Sequence, residues 1–290
     1  MQVSRTRLFG PRPLWWEKAG LTSPALMVIG SRIHMLYRAQ GEDGISRLGL
    51  AVSDDGENFV KLDDPTVESA EQNSLERLGL SDPRATAIGK EVFITYTALS
   101  TLPPSERAQT TSHWPKRSRT IITRSRDFKN LEPVSVPFPS LNTGPAVLLP
   151  AKLQNRYWLL YTLDGAIYLS YSTNFKNWEG GLQLIAAKEK WEKNGLAVAC
   201  PPVETERGWL MFYNTDHGVG LALLDRSNPA VILKRLSTPL VSAVESWEKP
   251  AINLSGSLSL RGNLWLYYGG REIGLMKISL EELLKKIDES

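Results

Sequence analysis

The sequence predicts an all-β fold, namely a five-bladed β-propeller followed by a short C-terminal helix. Three repeated features predict it. A β-rich aromatic segment that ends in tyrosine occurs five times, and the tyrosines are 59, 65, 52 and 55 residues apart. A strand led by proline precedes four of these segments, and a Ser-x-Asp or Ser-x-Asn turn follows three of them. A four-stranded antiparallel unit that repeats at this interval is typical of propeller blades.

The elements of each unit can be placed in order along the chain. The first strand begins near Ser255 in the fifth unit and at a proline in the others, namely Pro24, Pro83, Pro145 and Pro202. The second strand is the aromatic segment, with copies at 33–37, 92–96, 157–161, 209–213 and 264–268. Turns at 53–59, 125–131 and 172–178 then lead to the fourth strand, because Asp and Asn side chains cap such turns. The predicted blades are about 21–65, 80–135, 142–185, 198–240 and 251–279.

The remaining segments complete a single domain of residues 1–290. Residues 1–20 are expected to form an N-terminal strap or a closing strand. Residues 279–290 predict a helix packed on the last blade, because Ser279 and Glu282 form a capping box and apolar residues follow at helical spacing. Loop 99–118 is the longest insertion, and two interpretations stay open: a solvated loop, and a lid or subunit contact.

The composition excludes several classes of protein. Hydrophobic residues make up 42% of the chain and charged residues 22%, which suits a globular domain and excludes disordered, collagen-like and coiled-coil chains. The net charge of +3 is too small to indicate a nucleic acid partner. The longest apolar runs, such as 25–29, are too short to span a membrane, so no membrane partner is expected.

The cysteine and histidine content narrows the chemistry further. Cys200 is the single cysteine, which excludes an intrachain disulfide and fits a reducing compartment. The three histidines, His34, His113 and His217, are far apart and lack metal-ligand spacing. No P-loop or dinucleotide-binding motif is present, and no apolar leader follows residues 1–13. These features predict a cytoplasmic protein with no cofactor and no metal.

Polar residues gather where the inner strands of a propeller would meet at one end of the central tunnel. They are Arg38, Asp82, Arg84, Thr97, Thr162, Asp164, Asn214, Arg271 and Glu272. Carboxylates and arginines around one pocket suit a sugar substrate, with acid chemistry at the glycosidic oxygen. Each residue also has a purely structural interpretation: Asp82 precedes proline as turn formers do, Arg84 pairs with it in the tunnel wall, and Asp164 opens a hairpin turn.

Six segments of the chain form an ordered set of motifs. They are 36–39 (LYRA), 47–56 (RLGLAVSDDG), 82–84 (DPR) with 96–98 (YTA), 144–150 (GPAVLLP), 201–205 (PPVET) with 208–210 (GWL), and 266–270 (LYYGG) with 279–284 (SLEELL). From about Ser23 to Leu284, the chain resembles glycoside hydrolase family 130, the five-bladed propeller family of β-mannoside phosphorylases and β-mannosidases. The resemblance implies an enzyme that acts on an oligosaccharide.

The resemblance also implies roles for individual residues. Asp82 takes the position of the family's general acid in an inverting reaction, although Ser81 stands where the family has glutamate. Arg38 and Arg84 take positions that line the sugar site. In phosphorylase members the acid acts through a sugar hydroxyl, and phosphate attacks the anomeric carbon. The other candidates for substrate binding are Thr97, Tyr161, Asp164, Asn214, Tyr268 and Arg271.

The chain departs from the phosphorylase pattern at positions that contribute to phosphate binding. Thr162 stands where phosphorylases have arginine, and Asn214 stands where they have histidine. A phosphate dianion needs several positive or donor groups, so these losses favour hydrolysis. Family hydrolases use acidic residues to activate water. Glu272, which aligns with a family aspartate, and Glu204 are the candidates for this base, and Asp164 is the third.

The sequence therefore favours an inverting glycosidase for β-mannosides or related short oligosaccharides. One alternative is a phosphate-dependent β-mannoside phosphorylase, whose altered phosphate site would use Lys193, Asn214 and Arg271. The other alternative is a non-catalytic carbohydrate-binding propeller. The expected partners are an oligosaccharide and, for the phosphorylase, inorganic phosphate. Assembly into a homo-oligomer stays open.

Overall fold

Five antiparallel sheets make up the protein, and each has an inner strand at one edge. The computed structural model describes residues 3–69, 75–101, 116–260 and 262–290. Most of loop 99–118, whose two interpretations are given above, lies outside these described residues. In every sheet the strands lie side by side in chain order from inner to outer, and only the outermost strand of the last sheet comes from elsewhere in the chain.

The strand bounds define five blades. The chain begins with β1 (Ser4–Phe9), which belongs to the last blade. Blade 1 contains β2 (Gly20–Ile29), β3 (Arg32–Gln40), β4 (Ser46–Ser53) and β5 (Val60–Lys61). Blade 2 contains β6 (Leu80–Ile88), β7 (Glu91–Thr101), β8 (Lys116–Arg124) and β9 (Glu132–Ser135). Blade 3 contains β10 (Thr143–Leu148), β11 (Tyr157–Leu163), β12 (Ala166–Ser172) and β13 (Glu179–Ile185).

The last two blades differ slightly from this plan. Blade 4 has a divided inner strand, and its members are β14 (Ala197–Val198), β15 (Val203–Thr205), β16 (Gly208–Thr215), β17 (Gly218–Leu224) and β18 (Ile232–Arg235). Blade 5 contains β19 (Asn253–Leu260), β20 (Asn263–Gly269), β21 (Ile273–Ser279) and β1. The inner strand β2 contacts both β6 and β19, β6 contacts β10, β10 contacts β14, and β16 of blade 4 contacts β19 of blade 5. These contacts close a ring, so the predicted five-bladed propeller is confirmed.

The first strand of the chain closes the ring. β1 pairs antiparallel with β21, and Ser4 lies opposite Lys277. The Arg5 guanidinium donates hydrogen bonds of 2.7 Å to both carboxylate oxygens of Glu248, which belongs to the segment before β19. The first and last strands of the propeller are therefore held together by a backbone ladder and an ion pair.

The predicted C-terminal helix is also present. Helix α1 (Leu280–Asp288) begins after Ser279, whose side chain accepts a hydrogen bond from the Glu282 amide. Leu283 and Ile287 are buried in the core shared by blades 4 and 5. Among the described residues, no helix has the length and apolar character needed to cross a membrane.

The polar turns between third and fourth strands are formed as predicted. In blade 1, the Asp55 carboxylate accepts hydrogen bonds of 2.8 Å from the amides of Glu57 and Asn58. Asp127 in blade 2 accepts the equivalent bonds, which hold its pKa at about 2. Asn174 does the same in blade 3. A side-chain oxygen that accepts two backbone amides fixes each turn, and this explains the repeated spacing.

A second repeated feature joins the segment before a blade to its aromatic strand in blades 1, 2, 4 and 5. The blade tyrosine donates a hydrogen bond to a buried glutamate that lies 20 or 21 residues earlier. We call this contact the Glu–Tyr clamp. The four pairs, with their oxygen–oxygen distances, are Tyr37–Glu17 (3.1 Å), Tyr96–Glu76 (2.6 Å), Tyr213–Glu192 (2.7 Å) and Tyr268–Glu248 (2.6 Å).

In blades 1, 4 and 5 the clamp glutamate follows a tryptophan that stacks on the same tyrosine. The ring centroids of Trp191 and Tyr213 are 6.0 Å apart, and those of Trp247 and Tyr268 are 5.7 Å apart. A basic residue from the outer part of the blade pairs with the glutamate; in blade 4 it is Arg235, at 2.7 Å. A Trp-Glu-Lys motif in the sequence thus marks a buried ion pair.

Blade 3 has no such pair at its tyrosine. Tyr161 packs against Phe138 instead, with ring centroids 4.4 Å apart, and Leu141 stands twenty residues before it. Burial raises the pKa of Tyr161 above its usual value. The aromatic strand of this blade is therefore held by apolar packing where the others use a buried carboxylate.

Candidate active site

The inner strands of all five blades begin at the same end of the propeller, which we call the site end. Near its start, the inner strand of blade 1 bulges at Ser23-Pro24, and that of blade 2 bulges at Asp82-Pro83. Ser23 and Asp82 both have left-handed backbones, with φ of 54° and 53°. This conformation is uncommon outside glycine and tends to persist at functional sites, where surrounding structure enforces it.

Four polar side chains from four blades form a hydrogen-bonded chain at the site end, which we call the axial chain. Asn214 of blade 4 donates to Asn253 of blade 5 at 3.3 Å, and Asn253 donates to Ser23 of blade 1 at 3.4 Å. Ser23 Oγ then donates to the Asp82 carboxylate at 3.4 Å. The carboxylate is partly exposed, so it is reached both by this chain and by solvent.

Asn214 anchors this chain and has no amide group left for a ligand. Its side-chain oxygen accepts from the Leu254 amide at 3.0 Å, and its nitrogen donates to the Leu254 carbonyl at 2.9 Å. The structure therefore places Asn214, predicted to bind sugar or phosphate, in contacts that join blade 4 to blade 5. Thr162 is used similarly, since its hydroxyl accepts from the Val198 amide at 3.0 Å.

Arg84 lies inside the ring, not on a sugar-binding surface. Its side chain is fully buried, and its guanidinium donates to the carbonyls of Ala199, Pro83 and Val198. Burial lowers the pKa of Arg84, although the charge of Asp82 acts in the opposite direction. The structure thus ties blade 2 to blade 4 through Arg84, whose predicted contact with substrate stays a prediction.

A cavity of about 200 Å³ lies between blade 1 and the turn that follows β20 in blade 5. We call it the inner cavity; its walls include Thr22, Arg38, Gln40 and Arg271. Thr22 precedes Ser23 in the chain, but neither Ser23 nor Asp82 is among the lining residues of the cavity. Arg38 is half-buried and donates to Ser46 Oγ at 2.9 Å. Of the predicted site residues, the structure brings Arg38 and Arg271 together in this wall.

A second depression of about 460 Å³ adjoins the inner cavity, and we call it the outer cavity. Both are lined by Ala19, Gly20 and Arg271. Glu272 lies in the wall of the outer cavity, half-buried, where it forms an ion pair with Arg7 of β1. The two cavities therefore form one path from the start of blade 1 to the outer edge of blade 5.

Glu204 lies at the opposite end of the propeller. It belongs to β15, opposite Trp209 at the start of β16, whereas Asn214 of the axial chain is near the end of β16. Its carboxylate is half-exposed and forms an ion pair of 3.0 Å with Arg226. Since the length of blade 4 separates Glu204 from the site end, it is not a candidate for the base.

The remaining predicted residues are scattered. Tyr161 and Tyr268 are buried inside their blades, and the Tyr268 hydroxyl is bound to Glu248, so neither faces a cavity. Thr97 lies opposite Ser81, and its buried hydroxyl has no hydrogen-bond partner among the described residues. Asp164 is exposed in a two-residue hairpin with Gly165, at φ of 49° and 72°, which agrees with the turn interpretation.

The predicted phosphate set is not assembled. Lys193 is exposed after the short 3-10 turn 190–192 and lines neither cavity, whereas Arg271 lines both. Cys200 is buried, and burial raises the pKa of its thiol to about 11, as expected for a packing residue. Within residues 3–69, 75–101, 116–260 and 262–290, no group of three His, Cys, Asp or Glu side chains is placed to hold a metal ion.

Sequence reasoning missed Ser23 and Asn253 of the axial chain, although a signal was available for Ser23. Ser23 and Asp82 are 59 residues apart, as are the blade tyrosines Tyr37 and Tyr96. Ser23 is therefore the blade 1 counterpart of Asp82. It also missed Arg7, Lys18 and Trp247, which line the outer cavity.

Comparison with known proteins identifies the class to which this site belongs. The family model described as "beta-1,4-mannooligosaccharide phosphorylase" matches residues 20–289. The chain is 27% identical to a 1,2-beta-oligomannan phosphorylase of Thermoanaerobacter sp. (strain X514), over 92% of this chain and 93% of that protein. It is 27% identical, with the same coverage, to a beta-1,2-mannobiose phosphorylase of that organism. These matches define a glycoside-active enzyme.

The chain belongs to glycoside hydrolase family 130. Solved structures of low identity share its fold. The beta-1,2-mannobiose phosphorylase of Listeria innocua, in complex with beta-1,2-mannobiose, has a TM-score of 0.85 at 18% identity and covers 100% of both chains. A second structure comes from work on family 130 glycoside hydrolases that target beta-1,2 mannosidic linkages in Candida mannan. It has a TM-score of 0.83 at 20% identity, over 95% of this chain and 92% of that one.

Proposed function

We propose that the protein hydrolyses β-1,2-linked mannosides with inversion, with Asp82 as the general acid. The observation that carries this proposal is the state of Asp82: a left-handed backbone, partial exposure and, among the described residues, a single hydrogen bond of 3.4 Å from Ser23. A carboxyl group that few donors occupy can give its proton to a leaving oxygen. The β-1,2 linkage is supported by the names of the relatives and of the structures with the same fold.

The proposed reaction is a single displacement. Water attacks the anomeric carbon as a base removes its proton, and the bond from that carbon to the glycosidic oxygen breaks. Asp82 supplies a proton to the leaving oxygen, directly or through a sugar hydroxyl. An inverting enzyme holds acid and base roughly 6.5–9.5 Å apart so that water fits between them.

Glu272 is the base in this proposal. It follows Arg271, which lines the inner cavity, and its carboxylate forms an ion pair with Arg7 of β1. Asp82 contacts Ser23, whose neighbour Thr22 lines the inner cavity on the blade 1 side, and Glu272 follows Arg271, which lines it on the blade 5 side. The proposal places the scissile bond between the two carboxylates.

Water is favoured over phosphate as the nucleophile by two side chains. Thr162 and Asn214 stand where the resemblance places the arginine and histidine of phosphorylases, and both are engaged in contacts between blades. Phosphorolysis is the second candidate, because the relatives named above are phosphorylases and because Arg38 and Arg271 give the inner cavity two cations.

Product analysis separates the two candidates. The protein is incubated with β-1,2-mannobiose, with and without inorganic phosphate, and the products are followed by proton NMR from the first minutes. We expect α-mannose to form first in both conditions, because inversion of a β-linkage by water gives the α-anomer. If mannose 1-phosphate forms, and only when phosphate is present, the protein is a phosphorylase and the proposed hydrolysis is wrong. Asp82→Asn is the control that should not cleave the substrate. Glu204→Gln is the matched control, because it removes a carboxylate at the opposite end of the propeller.

A further inference from the structure

The axial chain has a donor direction that the backbone imposes. It begins at the Leu254 amide, which donates to the Asn214 side chain at 3.0 Å. A backbone N–H can only donate, so the Asn214 atom that it meets must be the amide oxygen. The Asn214 nitrogen then faces the Leu254 carbonyl at 2.9 Å, and a carbonyl can only accept. The two backbone groups of Leu254 therefore fix which way round the Asn214 amide stands.

This direction is passed on from blade to blade. Nδ2 of Asn214 also donates to Oδ1 of Asn253, so Asn253 presents its own nitrogen to Ser23 Oγ. The Ser23 oxygen accepts that bond, and its proton is left for the Asp82 carboxylate. Ser23 is fully buried, so bulk water does not turn the hydroxyl another way. All three side chains therefore donate toward Asp82.

The axial chain reaches one of the two carboxyl oxygens of Asp82. Ser23 Oγ donates to Oδ1. An oxygen that accepts a hydrogen bond is favoured as the unprotonated one, so the proton of the neutral carboxyl group resides on Oδ2. The donor at Oδ1 also stabilises the negative charge that develops when Oδ2 gives up its proton.

We propose that Asn253 is a positioning residue for the reaction: it turns the Ser23 hydroxyl toward Oδ1 of Asp82, so that Oδ2 carries the proton given to the leaving oxygen. The inference rests on the proposed function for the role of Asp82 as the general acid. The axial chain starts from Asn214, which stands where the resemblance places a histidine in phosphorylases, so the arrangement differs from the phosphorylase pattern.

The charged groups around Asp82 stay the same in the variants that test this role. The inner strands β2, β6, β10, β14 and β19 contain two titratable residues, Asp82 and Arg84. The Arg84 guanidinium is held by three backbone carbonyls, and its charge acts on both Asp82 and Cys200. Near the site end, the strands packed against β6 add three groups that already have partners: Tyr96 with Glu76, Arg38 with Ser46, and Arg47 with Asp43.

Asn253→Asp should reverse the last two bonds of the axial chain. A carboxylate at position 253 accepts from Asn214 but cannot donate to Ser23, so the Ser23 hydroxyl turns toward it. Ser23 then presents its lone pairs to Asp82 and holds the proton on Oδ1. With β-1,2-mannobiose, we expect kcat to fall about 10- to 100-fold and KM to change by less than about threefold. The pH at which kcat/KM is half-maximal on the alkaline side should rise by about one unit, because the proton is held more tightly.

A second background separates the donor direction from the added charge. The new carboxylate also raises the alkaline half-maximum by direct repulsion of the charge on Asp82. Asn253→Asp is therefore repeated in the Ser23→Gly variant, which has no hydroxyl to turn. In that background we expect the alkaline half-maximum to move less than half as far. An equal shift in both backgrounds would show that charge alone is responsible and would overturn the role of Asn253.

The remaining outcomes keep this inference apart from the proposed function. If Asp82→Asn is inactive but Asn253→Asp leaves kcat and the pH profile unchanged, Asn253 has no positioning role and the proposed function stands. If Asp82→Asn retains activity, the proposed function fails, and the role of Asn253 fails with it. If Asn253→Asp does not fold, Asn253→Ala replaces it, since it removes the donor to Ser23 without adding charge. Its kcat should fall about three- to tenfold at unchanged KM, and an unchanged kcat would count against the role.

Discussion

The carboxylates of this protein fall into two regions that differ in how fully they are paired. In the clamp of blade 5, Glu248 accepts hydrogen bonds from Tyr268, Arg5 and the amides of Val244 and Glu245, all between 2.6 and 3.0 Å. In the axial chain, Asp82 accepts one hydrogen bond from the part of the chain that the structure describes, at 3.4 Å from Ser23. A carboxylate whose lone pairs are filled contributes to the fold, whereas a sparsely bound, partly exposed one is available to exchange a proton.

The largest expected effect follows from the sparsely bound carboxylate. Asp82→Asn should lower kcat/KM for a β-1,2-mannoside by about 100- to 10,000-fold, because the general acid is lost. The free energy of unfolding should change little, since Asn tolerates a left-handed backbone as well as Asp does. Steady-state kinetics measure kcat/KM, and urea denaturation measures the free energy of unfolding. Activity within tenfold of the unsubstituted protein would remove Asp82 as the acid.

The opposite result is expected for a filled carboxylate. Glu248→Ala should lower the free energy of unfolding by about 3–5 kcal/mol, because Arg5 and two amides lose a buried partner. The matched control is Glu204→Ala, which breaks an exposed pair with Arg226 and should cost about 1 kcal/mol or less. Guanidinium denaturation checks both, and equal losses would show that the clamp is no stronger than a surface ion pair.

A variant within the axial chain tests how Asp82 is positioned. Ser23→Gly removes the hydroxyl that contacts Asp82 and keeps the left-handed backbone, so kcat should fall about 10- to 100-fold with little change in KM. Ser255→Gly is the control, because the Ser255 hydroxyl is also buried but donates to the Pro24 carbonyl. A loss of similar size in Ser255→Gly would point to a general disturbance of the inner strands.

Blades 3 and 4 allow a smaller comparison. Tyr213→Phe removes a donor from buried Glu192 and should cost about 1–3 kcal/mol of unfolding free energy. Tyr161→Phe should cost less than about 1 kcal/mol, because the ring of Tyr161 packs on Phe138 and has no carboxylate partner in its blade. Thermal and chemical unfolding of the two variants side by side would measure the contribution of the clamp.

Acid should weaken the clamps. Burial alone would raise the pKa of Glu192 and Glu248, but hydrogen bonds from amides, tyrosine and arginine hold each pKa below its usual value. Their contribution to stability is therefore complete above about pH 4.3, the value for an unfolded glutamate, and is lost as pH falls through the lowered native pKa. Urea denaturation between pH 3 and pH 6 should show this loss, and Glu248→Gln should reduce it. A pH-independent stability would contradict it.

Much of the fold could be predicted from the sequence, because it depends on short-range repeats. The tyrosine spacing and the capped turns at Asp55 and Asp127 each report a local structure that recurs in a blade. The Trp-Glu-Lys motif at 16–18, 191–193 and 247–249 was an equally readable repeat, and it marks the clamps.

The site was harder to predict, because it depends on which end of a strand a residue occupies. Asp82 precedes Pro83 and lies at the site end, whereas Glu204 follows Pro202 and lies at the other. Position relative to the proline therefore separates the two carboxylates. Burial is the other limit: Arg84 and Tyr268 have suitable chemistry for a ligand, but their polar groups are bound within the fold.

The pairing of β1 with β21 also determines the order in which the protein can be completed on the ribosome. β1 is among the first strands to be synthesised, but it cannot pair until β21, which is among the last, has been made. Arg5 likewise cannot form its ion pair until Glu248 has been made. Blades 1 to 4 can form during translation, since their strands follow one another in the chain. The ring itself can close only after blade 5 has emerged, and until then β1 has no edge of the sheet on which to pair.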